Sequence, residues 1–161
     1  MEINGYKIEP GANLIFSDLF GANLSDTNLS GADLSDANLT DANLTDADLS
    51  GANLTRANLA VANLTGADLT DANLTRANLT NAILTGADLT DANLVVATMR
   101  KVILVGANLT GANLTGANLD HADLHGADLA CANLRGANLF GANLTNAILT
   151  GATMPDGSIH D

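Results

Sequence analysis

The hydrophobic positions of this chain recur every five residues without a break. Leucine or methionine occupies every fifth position from Leu14 to Met154, which makes 29 consecutive units. Two positions before each of them stands alanine, replaced only by Ser17, Thr27 and Val102. A repeat this regular has to be interpreted before any local signal, because it sets the architecture of the whole chain.

A period of five residues fits neither an amphipathic helix nor a flat sheet. On a helix of about 3.6 residues per turn, the leucines would scatter around the cylinder instead of forming a stripe. On a strand, an odd step would send successive leucines to opposite faces. If each unit is instead a short extended segment that ends in a corner, all leucines can point to one axis. The pattern therefore predicts an all-β solenoid.

Within each unit, strand alternation assigns the side chains. In the unit from Ala52 to Arg56, alanine and leucine point inward, the asparagine between them points outward, and the last two residues form the corner. Glycine occupies the corner before alanine in 13 of its 15 occurrences, which suits a sharp turn. Val61 and Val96 share that column, and β-branched residues disfavour positive φ. The backbone conformation of the corners therefore stays open at this point.

Units such as Ala32-Asp33-Leu34-Ser35-Asp36 and Ala112-Asn113-Leu114-Thr115-Gly116 carry a family resemblance. The run of A(D/N)LXX units resembles the pentapeptide repeat proteins, and above all their cyanobacterial members. The resemblance implies a right-handed quadrilateral β-helix with four pentapeptides per 20-residue coil. The 29 units would then form about seven coils, and a rod of roughly 34 Å at the strand spacing of a sheet.

The ends of the repeat predict caps. We expect an N-terminal cap over residues 1–11, the β-helix over residues 12–154, and a C-terminal tail over residues 155–161. Pro10 and Pro155 bracket the repeats, and proline discourages pairing at an exposed sheet edge. Ile3, Tyr6 and Ile8 should form a small turn or strand that covers the first coil.

The narrow interior and the scattered histidine and cysteine side chains argue against an enzyme. A filled, narrow interior leaves no concave pocket. His121, His125 and Cys131 lie at separate corners, so no convergent set of metal ligands is expected. We therefore predict no catalytic residue, no metal and no cofactor. No leader or membrane-spanning segment is recognisable, which makes the cytoplasm the expected location.

The negative charge of the chain argues against two kinds of negatively charged partner and suggests one candidate surface. The net charge is −12, with 18 acidic and 6 basic residues, which argues against direct binding to nucleic acid or to an anionic membrane. If residues 20 apart stack, the acids gather on one side of the rod. This candidate acidic face comprises Asp48, Asp68, Asp71, Asp88, Asp91 and Asp128.

A second candidate surface lies between residues 83 and 105, where apolar and basic residues replace polar residues of the repeat. It is an apolar band with two bases, formed by Ile83, Val95, Val96, Arg100, Lys101, Ile103 and Val105. Exposed apolar patches often mark interaction sites. Near one end of the rod, Phe140 and Ile148 could support an end-to-end homodimer.

We therefore expect a non-enzymatic, rigid acidic solenoid that acts as a protein-protein interaction or scaffold module. Its protein partner is unidentified, and we expect the apolar band to bind it. The alternative comes from the resemblance, because some pentapeptide repeat proteins imitate duplex DNA and bind DNA gyrase or a related topoisomerase. This chain shares their repeat and negative charge, and it lacks their loop insertions and aromatic C-terminal module.

Overall fold

The computed structural model describes residues 2–161, and the structure begins with a two-stranded hairpin. Strands β1 (Glu2–Ile3) and β2 (Tyr6–Lys7) pair antiparallel, with Ile3 opposite Tyr6. Asn4 and Gly5 connect them at φ of 51° and 81°. Positive φ at both central residues is what a two-residue hairpin turn of type I′ requires.

The rest of the chain winds as a β-helix of isolated parallel bridges. Every parallel bridge joins residues 20 positions apart, from Asn13 with Asp33 to Asn133 with Thr153. Four pentapeptides therefore complete one coil, as the resemblance implies, and no helix occurs in the described residues. The all-β class and the pentapeptide solenoid are confirmed, whereas the right-handed winding and the total of about seven coils stay predictions.

Each unit makes the same backbone hydrogen bonds. Leu54 N–H donates to the carbonyl of Asn73 in the next coil at 2.7 Å, and Asn73 N–H donates back to Ala52 at 2.9 Å. At the corner, Ala57 N–H closes a turn onto the Leu54 carbonyl at 3.0 Å, while Arg56 N–H donates to the next coil. These bonds satisfy most of the polar backbone of a rod that has almost no regular strand.

The corners all adopt the left-handed conformation, which settles the question that the sequence left open. The residue before each alanine position has positive φ at all 29 corners, including Val61 at 62° and Val96 at 58°. A turn closed by an i to i+3 hydrogen bond with positive φ at its third residue has the features of type II. The ladder requires this conformation even of β-branched residues, because the corner N–H must reach the next coil.

The core is a stack of inward leucine and alanine side chains. Leucines from Leu14 to Leu134 and almost all alanines of the repeat are buried, as the alternation predicts. The two polar residues of the alanine column are buried as well. Thr27 Oγ1 donates to the Leu24 carbonyl at 2.7 Å, whereas Ser17 Oγ has no hydrogen-bond partner.

The two ends of the solenoid differ. Ile8 belongs to the hydrophobic core and Ile3 and Tyr6 pack against it, whereas the cap over residues 1–11 and the tail over residues 155–161 stay predictions. At the other end, the tail turns back after Met154 and Ile159 pairs antiparallel with Thr153. None of the described residues belongs to a helix that is long and apolar enough to span a membrane.

Candidate functional surfaces

Each coil has four sides, and each side presents one outward residue, here called a rung. The acidic side carries the rungs Asn28, Asp48, Asp68, Asp88, Asn108, Asp128 and Ile148. Parallel bridges link these residues in this order, so that Asn108 lies between Asp88 and Asp128. The structure therefore brings together the four rung aspartates of the predicted acidic face.

On the acidic side, the rung carboxylates accept hydrogen bonds only from their own turns. Oδ1 of Asp48 accepts from the Ser50 N–H at 3.0 Å and from its hydroxyl at 2.6 Å. Asn73 uses its amide oxygen in the same way, accepting from the backbone and hydroxyl of Thr75. The turn thus needs an acceptor oxygen at this position, and asparagine supplies it without a charge.

Asparagine also adds a bond that aspartate cannot make. Nδ2 of Asn78 donates to Oδ1 of Asn58 in the previous coil at 3.0 Å, which forms an amide ladder. Two ionised carboxylates in successive rungs have no such donor and repel each other. The negative charge of the acidic side is therefore not required by the fold.

The corners that border the acidic side add further acids. Asp71 and Asp91 occupy one corner, as predicted, and Asp26 and Asp46 occupy the other. Sequence reasoning missed the last two, although the same 20-residue register places them there. With the four rung aspartates, eight acids lie on this side and its corners, and no lysine or arginine does.

The basic residues of the repeat all lie at the two corners bordering the opposite side of the rod. These are Arg56, Arg76, Arg100, Lys101 and Arg135. Two of the five bases pair there with acids from neighbouring coils: Arg56 contacts Asp36 at 2.6 Å and Arg100 contacts Asp120 at 3.1 Å. The rod is therefore electrically polarised across its width.

The ion pairs at these corners shift the pKa of their carboxyls. The hydrogen bond from Arg56, helped by its positive charge, lowers the pKa of Asp36. The pKa of Asp120 is lowered by the hydrogen bond with His121 first and by Arg100 second. On the acidic side, none of the described carboxylates forms an ion pair.

The predicted apolar band spreads over two sides of the rod. Ile83 and Ile103 bridge each other on one side and are each 37% exposed. Val95 and Val96 lie one full side away, at the corner shared with Arg56, and Val96 is 53% exposed. Val95 and Val105 are only partly exposed, whereas Arg100 and Lys101 are exposed and mark the corner between the two groups.

Concave and metal-binding features are not found in the described part of the chain. It contains no pocket and no group of three or more histidine, cysteine or acidic side chains that could hold a metal ion. The His121 ring packs edge-on against Phe140, with ring centres 5.6 Å apart, and Cys131 is an exposed thiol. The accessible chemistry is that of flat lateral surfaces.

The family of the chain follows from this geometry and from comparison with known proteins. The model of the pentapeptide repeats matches eight copies, over residues 10–36, 17–56, 57–95, 92–129 and 117–154. The chain therefore belongs to the pentapeptide repeat family. No curated protein sequence matches it.

Solved structures with the same fold include proteins from cyanobacteria. HetL of Nostoc sp. strain PCC 7120, involved in heterocyst differentiation regulation, is 38% identical, with a TM-score of 0.56 over 94% of this chain and 86% of HetL. Rfr23 of Cyanothece 51142 is 35% identical, with a TM-score of 0.37 over 74% of this chain and 91% of its own. QnrB1, a plasmid-mediated fluoroquinolone resistance protein, shares the fold at 22% identity, with a TM-score of 0.51 over 91% and 86% of the two chains.

Proposed function

We propose that this protein is a non-enzymatic interaction module that binds a protein partner along the lateral surface of its solenoid. The observation that carries the proposal is the set of eight acids without a basic neighbour on the acidic side. The turns there need only acceptor oxygens, as the asparagine rungs demonstrate. A charge that the fold does not need is available for a partner.

The electrostatic cost of this arrangement is modest. Two unit charges about 5 Å apart in water repel by roughly 1 kcal/mol, and salt weakens this further. A basic protein surface laid along the acidic side would relieve the repulsion and would be steered toward it. We therefore propose a partner that presents lysine and arginine side chains on a flat or gently curved face.

The apolar band is the competing docking surface. Its exposed members, Ile83, Ile103 and Val96, lie on different parts of two sides, so a partner would have to wrap a corner to reach them all. The acidic side offers a single column of stacked rungs instead. This favours the acidic side over the band that the sequence alone suggested.

A regulatory role suits this proposal. HetL, with 38% identity over most of both chains, is involved in the regulation of a differentiation process. Binding to a partner along a lateral surface, which is the activity proposed here, suits such a regulatory role. The cytoplasmic location stays a prediction.

Affinity capture with matched surface variants tests the proposal. In one variant Asp48, Asp68, Asp71, Asp88 and Asp91 become asparagine, and in the other Val96 and Ile103 become serine. We expect the first variant to lose salt-sensitive capture of the partner and the second to keep it. Capture that survives in the asparagine variant and fails in the serine variant would transfer the function to the apolar band.

A second candidate function is imitation of DNA. The eight acids extend over about five coils, which gives roughly one charge per 3 Å at a strand spacing near 4.8 Å, against about 3.4 Å between the charges of one DNA strand. A supercoiling assay with DNA gyrase tests this directly. Inhibition by the unmodified protein at stoichiometric concentration, abolished in the five-aspartate variant, would favour DNA mimicry over binding to a basic regulatory partner.

A further inference from the structure

Three stacked passes of the chain across the side opposite the acidic one contain no acidic residue. They cover residues 56–61, 76–81 and 96–101, and they hold four of the six lysine and arginine residues of a chain with a net charge of −12. This surface is here called the basic patch. Its rungs are Asn58, Asn78 and Thr98, linked by parallel bridges, and its exposed corner residues are Arg56, Val61, Arg76, Asn81, Val96, Arg100 and Lys101.

Part of the positive charge of the basic patch is free. Two of its four bases pair with acids that lie one coil outside it, at Asp36 and Asp120. Arg76 and Lys101 form no ion pair with any described residue. These two side chains are exposed and are therefore available to a carboxylate of a partner.

The corners of the basic patch hold residues that the local backbone disfavours. Glycine, asparagine and aspartate tolerate positive φ best, and they fill every described corner that borders the acidic side except that of Cys131. In the basic patch, five of the six residues with positive φ are instead arginine, lysine or valine, at φ between 55° and 62°. The fold would be satisfied by glycine at these corners, so it does not call for these side chains.

Two of these corner residues are apolar. Val61 and Val96 are the only β-branched residues with positive φ in the described part of the chain, and they are 52% and 53% exposed. Burial in the core therefore does not compensate for their strained backbone. They lie at diagonally opposite corners of the basic patch, in its first and third passes. A ligand that covered both would give them the apolar contact that the fold withholds.

The basic patch has the size of a peptide site. Three passes at a coil spacing of about 4.8 Å, each about three extended residues wide at about 3.3 Å per residue, form a flat area of about 14 by 10 Å. A stable interface between folded proteins covers about 800 Å² of each partner, which is several times more. An extended segment of about four residues spans the length of the patch.

We infer that the basic patch binds a short extended segment of a protein partner that carries both carboxylates and aliphatic side chains. The carboxylates pair with Arg76 and Lys101, and the arginine fork can hold a carboxylate through two hydrogen bonds. The aliphatic side chains cover Val61 and Val96. Nδ2 of Asn58 donates to no acceptor among the described residues and is available to a carbonyl of the segment.

The net negative charge of the chain does not prevent this contact. The acidic side lies across the width of the rod, about 10 Å away by the same estimate, and the Debye length is about 8 Å at physiological salt. Asp36 and Asp120, which border the patch, are neutralised by Arg56 and Arg100. A segment on the basic patch therefore meets the local positive charge first.

This surface is separate from the one in the proposed function, and the inference does not depend on the acidic side. It takes Val96 and Lys101 from the apolar band. Ile83 and Ile103 lie on the next side of the rod and are not part of it.

An NMR titration of the full chain with a short synthetic peptide tests the inference. Pairs of glutamate alternate with pairs of leucine in the peptide, so that each face of its extended chain shows both kinds of side chain. We expect saturable shifts of the side-chain amide signals of Asn58 and Asn78 at millimolar peptide, smaller at high salt. The side-chain amide of Asn108, on the acidic side, should not shift. The same peptide with lysine in place of glutamate should leave Asn58 and Asn78 unshifted.

Charge variants test the role of the free bases. Arg76→Gln with Lys101→Gln should weaken binding of the glutamate peptide at least tenfold. Lys7→Gln with Arg135→Gln removes the same charge outside the basic patch and is the matched control, for which we expect less than a twofold change.

Valine variants separate binding from stability. Val61→Gly with Val96→Gly should weaken binding of the glutamate peptide at least fivefold, because the apolar contact is lost. The same exchange relieves the strain at both corners, so the melting temperature should rise. Weaker binding by a more stable protein cannot result from unfolding.

Several results would overturn the inference: no saturable shift at millimolar peptide, shifts that lie on another side of the rod, an equal response to the lysine peptide, or unchanged binding in the glutamine or glycine variants. A single-stranded oligonucleotide that binds this side more tightly than the glutamate peptide would replace the protein segment by nucleic acid, and it would overturn the inference as well.

Discussion

Asp48 and Asp68 form a parallel bridge in successive coils, yet each carboxylate accepts hydrogen bonds from its own turn and none from the other residue. At Asn58 and Asn78, where both rungs are asparagine, the side-chain amide links the two coils. The acidic side therefore keeps the turn bonds of the repeat and gives up the ladder between coils. This difference leads to a prediction on stability.

Asp68→Asn should stabilise the protein. The new amide keeps the acceptor for the Thr70 N–H, now bonded at 2.9 Å, and removes repulsion from Asp48 and Asp88. We expect a gain of up to about 1 kcal/mol in the free energy of unfolding, smaller at high salt. Thermal melts at low and high ionic strength measure it. Asp68→Ala, which loses the acceptor, is the control, and an equal gain there would contradict the argument.

Exchange of valine and glycine at two corners should change stability in opposite directions. Val61 and Gly51 both have φ of 62°, and no atom lies within 4 Å of a Cβ added to Gly51. The left-handed conformation costs an L-residue about 1 to 2 kcal/mol. The larger entropy that glycine loses on folding offsets part of this cost in both exchanges. Gly51→Val should therefore destabilise and Val61→Gly should stabilise, each by somewhat less than that amount. Urea denaturation of both variants is the measurement.

The interior should resist added volume. Ala72 is fully buried, whereas Thr75 is partly exposed and its hydroxyl bonds Asn73 at 2.7 Å. Ala72→Leu should lower the free energy of unfolding by about 1 to 3 kcal/mol, as overpacking typically does. Thr75→Leu should cost less, since it loses one exposed hydrogen bond. Equal melting temperatures would show that the assignment of inward and outward positions is wrong.

Acid titration should report the Arg56–Asp36 pair. The lowered pKa of Asp36 means that its carboxylate stabilises the fold above the ordinary aspartate pKa, and that this contribution disappears as the pH falls through the lowered value. Arg56→Gln should raise the pKa of Asp36 toward its ordinary value, followed by NMR of the carboxyl carbon. Arg76→Gln, at the same corner one coil further, should leave it unchanged. An unaltered Asp36 pKa in the Arg56 variant would refute the assignment.

The sequence by itself determined which side chains point inward. Strand alternation is a local rule, so the spacing of Ala72, Leu74 and Asn73 sufficed to assign core and surface, and the uninterrupted period of five excluded helices. It also placed Asp48 and Asp68 in one column, once four units per coil were taken from the family resemblance. The period alone does not set the number of units per coil, because that depends on the angle of the corners and on the volume that the leucines fill.

Tertiary structure decided the features that depend on neighbouring coils. Val61 adopts positive φ against its local preference because the corner N–H must donate to the next coil, a demand that no pentapeptide contains. The distance between Val96 and Ile103 on the surface, which weakens the apolar band as one site, is set by the winding of the chain. The Leu124 N–H donates to Asn143 of the next coil, whereas the Leu144 N–H has no partner among the described residues. Identical units thus acquire different roles from their position in the stack, since hydrogen bonds between coils, and not the residues of one unit, complete each layer.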